Sequence, residues 1–198
     1  MSIFGTASVK NGNYSFKGDF HHITPNTPIR IEDKDWKLAG VTNPRQLIHV
    51  HSYGGEAPFF ESLSQKKILG TRCDNDECEY KGSVYLPFRI HCPDCLAKNT
   101  VIDLTENCIK TARIHTFMVC ERSGAFNTLD KPIKFINIEF DGVDTILMSH
   151  LLVGEPSFGM RVVPVFKTVE PSYTILDLAW VPESTSIDDL PKGYSFGK

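Results

Sequence analysis

No run of about 18 apolar residues occurs in this sequence, so no segment is long enough to cross a bilayer as a helix. A basic excess is also lacking. The 21 Lys+Arg stand against 24 Asp+Glu, for a formal net charge of −3 and a pI near 6.2. Dedicated nucleic-acid and anionic-membrane binders carry concentrated positive charge, so neither partner is expected. The opening residues, MSIFGTASVKNGNYSF, lack the charged-then-apolar order of a secretory signal, and a cytoplasmic location is expected. Internal repeats and low-complexity tracts are absent as well. What is present is a chain of 198 residues, 41% apolar and 23% charged, with the composition of a soluble globular protein. At this length about 70% of the unfolded surface can be buried, so the core needs no covalent help.

Six cysteines stand out: Cys73, Cys78, Cys92, Cys95, Cys108 and Cys120. In a reducing compartment such residues are metal ligands or incidental thiols before they are disulfides. The first four form two close pairs, Cys73-x4-Cys78 and Cys92-x2-Cys95, separated by thirteen residues. Two such pairs, each on a tight knuckle, can place four thiolates about 2.3 Å from one Zn²⁺. Pro93 fixes a turn inside the second pair, and residues 82–90 read as a strand running between the knuckles. A thiolate-only site leaves no coordination position for a reacting water, so one structural zinc per chain is expected. The plainer alternative is four unrelated buried thiols, which the paired spacing argues against. A redox Cys-x-x-Cys is disfavoured by the second pair and by the lack of a βαβ pattern. Charge around the cluster also argues against nucleic acid. Residues 66–98 hold 6 basic and 5 acidic groups, and the DNDECE run lies on the first knuckle itself. Residues 105–182 carry 7 basic and 9 acidic groups, whereas phosphate backbones need concentrated positive charge.

Residues 1–57 are polar and turn-rich, punctuated by Pro25, Pro28, Pro44 and the Gly54-Gly55 pair. Brief strands are expected there, for example over 13–16, in a segment that reads as an extension over a partner or over its own domain. A short helix is expected from Pro58, which suits a first turn. Phe59, Phe60 and Leu63 share its apolar stripe, and Lys66 and Lys67 end it. Beyond the cysteines, residues 109–119, 133–140, 143–153, 160–166 and 173–180 are rich in β-branched and aromatic residues and read as strands. Asp141-Gly142 signals a hairpin, and GEPSFG over 154–159 signals the next turn. Four or five strands in this space fit a small barrel or sandwich. Residues 183–198 read as a tail.

The order PFFESLSQKKILGTRC, a second cysteine, VYLPFRIHCPDC and a strand-rich segment ending GMRVVPVF resembles the thiolase-associated zinc-ribbon/OB-fold proteins. That family was long catalogued as a domain of unknown function. Phe59, Phe60, Leu63, Cys73, Cys78, Tyr85, Pro87, Cys92, Pro93, Cys95, Gly159, Met160, Val162 and Phe166 carry the match, over about residues 58–170. The first cysteine pair is spaced by four residues where the family usually has two, and the first 57 residues lie outside the pattern. The resemblance implies a mainly β architecture of a short N-terminal helix, a rubredoxin-like zinc ribbon and a C-terminal OB-fold barrel. It divides the chain into 1–57, 58–104, 105–182 and 183–198. It also implies a non-catalytic subunit that packs on a thiolase-fold enzyme and helps enclose acyl-CoA during C–C bond cleavage or formation. Metal ligands are then Cys73, Cys78, Cys92 and Cys95, and partner contacts Phe59, Phe60 and Leu63. A short helix with one apolar face equally suits Phe59 and Phe60 as core residues capping the barrel.

Outside these motifs, Arg113, Arg122, Lys131, Lys134 and Arg161 are the basic groups of the barrel region that can meet CoA phosphates, and solvated surface is the alternative. Cys108 and Cys120 have no base beside them in sequence and read as ordinary thiols. His49 and His51 place two imidazoles on one strand face, but no third ligand is near. His91 is expected to hydrogen-bond around the thiolates. His115 and His150 fall in expected strands. Two competing functions remain: a stand-alone acyl-CoA-binding protein, and a nucleic-acid-binding zinc-ribbon/OB module.

Overall fold

The alternating and β-branched segments form short antiparallel strands throughout the computed structural model. It describes residues 53–121, 123 and 129–197, and, among the earlier residues, the turn at 10–11 and the backbone of six strands. The chain divides into two compact units, Met1–Tyr53 and Gly54–Lys198.

The first unit consists of antiparallel pairs. β1 (Gly5–Lys10) pairs with β2 (Asn13–Gly18) across a turn in which Asn11 takes a positive φ of 52°, as asparagine tolerates. β3 (His21–Ile23) pairs with β6 (Arg45–Leu47). Between them in sequence, β4 (Thr27–Ile31) pairs with β5 (Lys37–Thr42), with a bulge between Ile29 and Arg30. One hairpin is thus nested inside another pairing, in a segment whose polarity suggested only brief strands.

The second unit opens with α1 (Ala57–Ser64), with Pro58 in its first turn. The Gln65 and Lys66 N–H groups close its end on the Ser62 and Leu63 carbonyls. Phe59 and Leu63 on its apolar face are fully buried, while Phe60 is half-buried and meets Phe59 edge-on with ring centroids 5.2 Å apart. β7 (Leu69–Arg72) follows and is flanked by β8 (Val84–Tyr85) and β9 (Thr100–Asp103) in a three-stranded sheet. Gly70 is required on the central strand. A Cβ there would lie 2.3 Å from Leu104 Cδ1 and 3.0 Å from the Tyr85 carbonyl oxygen.

A short helix, α2 (Thr105–Thr111), leads into the remaining strands. Residues 109–111, expected as strand, belong to this helix instead. Asp103 accepts hydrogen bonds from both the N–H and the hydroxyl of Thr105 and so initiates the helical turn. β10 (Arg113–Cys120), β11 (Ile133–Glu139) and β12 (Leu147–His150) form one antiparallel sheet. β14 (Leu178–Pro182), β13 (Val162–Lys167) and β15 (Tyr194–Phe196) form another. An antiparallel bridge, Arg113 to Arg161, and a parallel bridge, Leu151 to Trp180, join the two sheets. The strand circuit therefore runs β10-β11-β12-β14-β13 and returns to β10, the connectivity of a five-stranded Greek-key barrel. Trp180, Phe166, Ile114, Ile136, Ile138 and Leu147 fill its interior, and Phe59 and Leu63 of α1 belong to the same core.

The mainly β character and the short leading helix agree with the sequence reading, and several boundaries shift. Residues 140–146 form a loop rather than a two-residue Asp141-Gly142 hairpin, because Asp144 is drawn to β8. Its carboxylate accepts from the Val84 N–H, and its own N–H donates to the Val84 carbonyl. The last barrel strand starts at Leu178, since buried Asp177 accepts from the Ser172 and Tyr173 N–H groups and holds the preceding turn. Residues 194–196, read as tail, add an edge strand to β13.

Buried His150 on β12 makes the fold acid-sensitive. Burial lowers its pKa from 6.5 to about 4. The unfolded chain therefore binds a proton that the folded chain refuses, and stability falls as pH drops from about 6.5 to 4. At the low end of that window the loss should reach about 3 kcal/mol. Urea titrations of the native chain and His150→Gln across these pH values should differ in slope. Parallel curves would contradict this assignment.

Candidate metal centre

The cysteines meet because two turns face each other beside the β8-β7-β9 sheet. β7 delivers Cys73, whose N–H donates to the Ser83 carbonyl, and the Gly82 N–H returns to the Cys73 carbonyl at 2.7 Å. Between them the Cys78 N–H donates to the Asn75 carbonyl, so the four-residue spacer is taken up as a turn around Asn75. In the second knuckle the Cys92 N–H donates to the Ala97 carbonyl and the Leu96 N–H to the Cys92 carbonyl. Leu96 takes a φ of 60° to complete that turn.

All four ligand sulfurs lie within 4.8 Å of one another. Cys73 and Cys95 Sγ are 3.8 Å apart, and Cys78 and Cys92 Sγ are 3.9 Å apart. Such separations are far longer than a disulfide bond of about 2.05 Å. They match the edge, about 3.8 Å, of a tetrahedron with metal–sulfur distances near 2.3 Å. Cys73, Cys78 and Cys92 are buried and Cys95 is half-buried. The four can therefore hold a metal ion, and they are the group among the described residues with that capacity.

The surroundings of the sulfurs favour charge on the second knuckle. The Cys95 N–H directed at Cys92 Sγ, followed by the Tyr85 hydroxyl at 3.5 Å, lowers the Cys92 pKa to about 6. Burial raises Cys78 to about 12, so without a cation this thiol resists ionisation. A bound cation reverses that cost, because a coordinating thiol is deprotonated outright. Sequence reasoning named Tyr85 only as part of a motif. Its place on β8, where alternate residues face the knuckles, is the signal for its contact with Cys92.

His91 does not reach a sulfur. Its Nδ1 lies 3.2 Å from the Leu96 carbonyl oxygen, where it braces the second knuckle. Cys108 is buried in the apolar core, and burial pushes its thiol well above the ordinary range. Cys120 is half-buried at the end of β10. His115 pairs with Glu139 at 2.9 Å on the barrel surface. His49, His51 and Arg122 lie outside the described residues.

Of the basic groups expected near CoA phosphates, Arg113 is held by Glu139 at 2.6 Å and by Asp141 at 2.7 Å. Arg161 caps the end of α2, donating to the Ala112 and Lys110 carbonyls. Lys131 and Lys134 come together on the wall of one cavity of about 590 Å³. Among the expected partner contacts, Phe59 and Leu63 are withdrawn into the core, because one stripe cannot both seat α1 on its own unit and stay exposed. Phe60 keeps part of its ring accessible.

No family model matches the chain, and no curated protein matches it. Solved structures do. A chain of an Ltp2-ChsH2(DUF35) aldolase is 17% identical, with a TM-score of 0.50, over 68% of this chain and 98% of that one. A DUF35-family protein of unknown function from Sulfolobus solfataricus is 21% identical, with a TM-score of 0.47, over 67% of this chain and 89% of that one. This chain has a DUF35-type fold. Among the described residues no helix is long and apolar enough to cross a membrane.

Proposed function

We propose that this chain is a non-catalytic, zinc-binding subunit that packs on a thiolase-fold enzyme and helps enclose its acyl-CoA substrate. The reading rests above all on the fold it shares with a chain of the Ltp2-ChsH2(DUF35) aldolase over 98% of that chain. Residues 58–104 then form a zinc ribbon, residues 105–182 an OB-type barrel, and residues 1–57 an extension. Zinc is favoured for the metal because four thiolates in tetrahedral reach suit it, and its filled d shell supplies no redox chemistry. Cys73, Cys78, Cys92 and Cys95 hold it, and the ion fixes the two knuckles against each other. Bond making and breaking belong to the partner, while this chain contributes binding surface and preorganisation. Phe60 is the aromatic left at the surface of α1 to reach the partner, and Lys131 is the basic group offered to CoA, since Lys134 is engaged by the Gly154 carbonyl and Glu155.

The test is co-expression with a thiolase-fold acyl-CoA enzyme from the same cells, followed by size-exclusion chromatography at several salt concentrations. A stable hetero-complex is expected, with substrate turnover that falls when this chain is omitted. A chain that elutes alone beside a fully active enzyme would remove the support for this function.

A further inference from the structure

For most of its length β10 is paired along one edge only. It ends the β10-β11-β12 sheet, and its other edge meets β13 at the Arg113–Arg161 bridge. Next to that bridge the Ile114 N–H donates to the Met160 carbonyl, and the Gly159 N–H donates to the Ile114 carbonyl. A bulge between Ile114 and Thr116 then resets which backbone groups face outward. On β11 the Lys134 carbonyl accepts from Leu151 on the β12 side, so Phe135 turns its own groups to Met118. The N–H and C=O groups of Phe117 and Val119 therefore point to the open edge. Among the described residues none hydrogen-bonds to them.

Open edges are ordinarily guarded by lysine, proline or a covering segment. Residues 116–120, Thr-Phe-Met-Val-Cys, contain neither a charge nor a proline. The 154–159 loop crosses the inner face of the strand. There Phe158 meets Phe117 with ring centroids 5.0 Å apart, and Gly154 accepts from Lys134, the residue opposite Val119. Met118 on the outer face stays 58% exposed, and Val119 and Phe158 stay 45% and 73% exposed. Apolar side chains thus flank the open groups on both faces, as they do inside a sheet.

We propose that a second copy of this chain occupies this edge, with β10 pairing antiparallel to its counterpart about a two-fold axis at Met118. In that register Phe117 of each copy faces Val119 of the other, and each pair exchanges both N–H···O bonds. A two-fold contact uses the same patch on both partners, so it closes as a dimer and does not grow into a filament. Charge agrees with this occupant. His115 of one copy comes to the same end of the ladder as Glu121 of the other, and no like charges face each other within it. The two sheets become one continuous sheet, with Met118 of both copies adjacent on its outer face. So short a ladder is small beside the roughly 1,600 Å² of a standard interface, so assembly should depend on concentration. The contact needs no enzyme partner and is tested on this chain alone.

Sedimentation velocity of the full-length chain should show monomer at about 1 μM and mostly dimer at about 200 μM. Val119→Pro removes an outward N–H that the ladder to β11 does not use, as edge strands tolerate. It should weaken dimerisation at least tenfold and leave the circular dichroism spectrum unchanged. Met118→Cys decides the matter if that variant does not fold. At the two-fold axis the two 118 positions form a pair with Cα atoms about 4.5 Å apart, within disulfide reach. Oxidised glutathione, itself reduced to its thiol, should link Met118→Cys into a covalent dimer at least tenfold faster than Val101→Cys. Val101 is 50% exposed on β9, in a different sheet. A chain that stays monomeric throughout, dimerisation untouched by Val119→Pro, or equal crosslinking of the two cysteine variants would overturn the proposal.

Discussion

Chelating the metal is expected to melt residues 73–95 and to lower the thermal stability of the whole second unit. The knuckles have little else to hold them. Their cluster consists of the four cysteines and Tyr85, and only the strand between them, through Leu86 and Phe88, reaches the main core. Metal-free, the buried sulfurs either stay protonated or crowd negative charge together. Zinc binding supplies apparent free energies of about 10–16 kcal/mol in small thiolate domains at neutral pH, and on the proposed zinc reading that energy is folding energy here. Elemental analysis of reduced protein should find about one zinc per chain. Chelation should then expose amides 73–95 to hydrogen exchange, while barrel amides of β11 and β13 exchange far more slowly. Cys92→Ser should reproduce much of this effect, because three ligands hold the ion poorly. Zinc content near zero in a chain with protected knuckles would refute this account of the site.

Phe59→Ala and Phe60→Ala should separate folding from assembly. Phe59 is 2% exposed and packs among Leu63, Ile68 and the barrel core, so its truncation leaves a cavity. The expected cost is about 3–5 kcal/mol, enough to unfold a marginal domain. Phe60 touches the same core with part of its ring only, and its truncation should cost about 1 kcal/mol. Association with the proposed partner should respond in the opposite order, since accessible aromatics anchor interfaces. Chemical denaturation and a binding titration on the two single variants read both quantities. A Phe60→Ala chain that assembles as well as the native one would return this helix to a purely structural role.

These outcomes bear on how far the residues themselves disclose the fold. The cysteine spacing was legible because tetrahedral thiolate binding leaves few alternatives for paired knuckles, and the four sulfurs do converge. The β-rich half was legible from its branched and aromatic runs. Strand ends were not, because tertiary hydrogen bonds set them. Asp144 held by β8 shortens β12, and Asp177 turning the chain at Ser172 delays β14. Helix α2 was missed because TENCIKT carries β-branched residues, and its turn depends on Asp103 meeting Thr105. The direction of Phe59 was ambiguous for a different reason. An apolar stripe looks alike whether it faces its own core or a partner. Of the cavity beside β11, Lys131 and Lys134 were legible as basic candidates, but its extent was not, because its wall runs from Leu129 to Tyr194 and converges only through strand pairing.

The most direct measurement of the central claim is native mass spectrometry of the full-length chain co-expressed with a thiolase-fold acyl-CoA enzyme. A hetero-oligomer is expected, with a mass that includes one zinc for each copy of this chain. Collisional ejection should release this chain still carrying its metal. A spectrum containing only the separate enzyme and a metal-free monomer of this chain would contradict it.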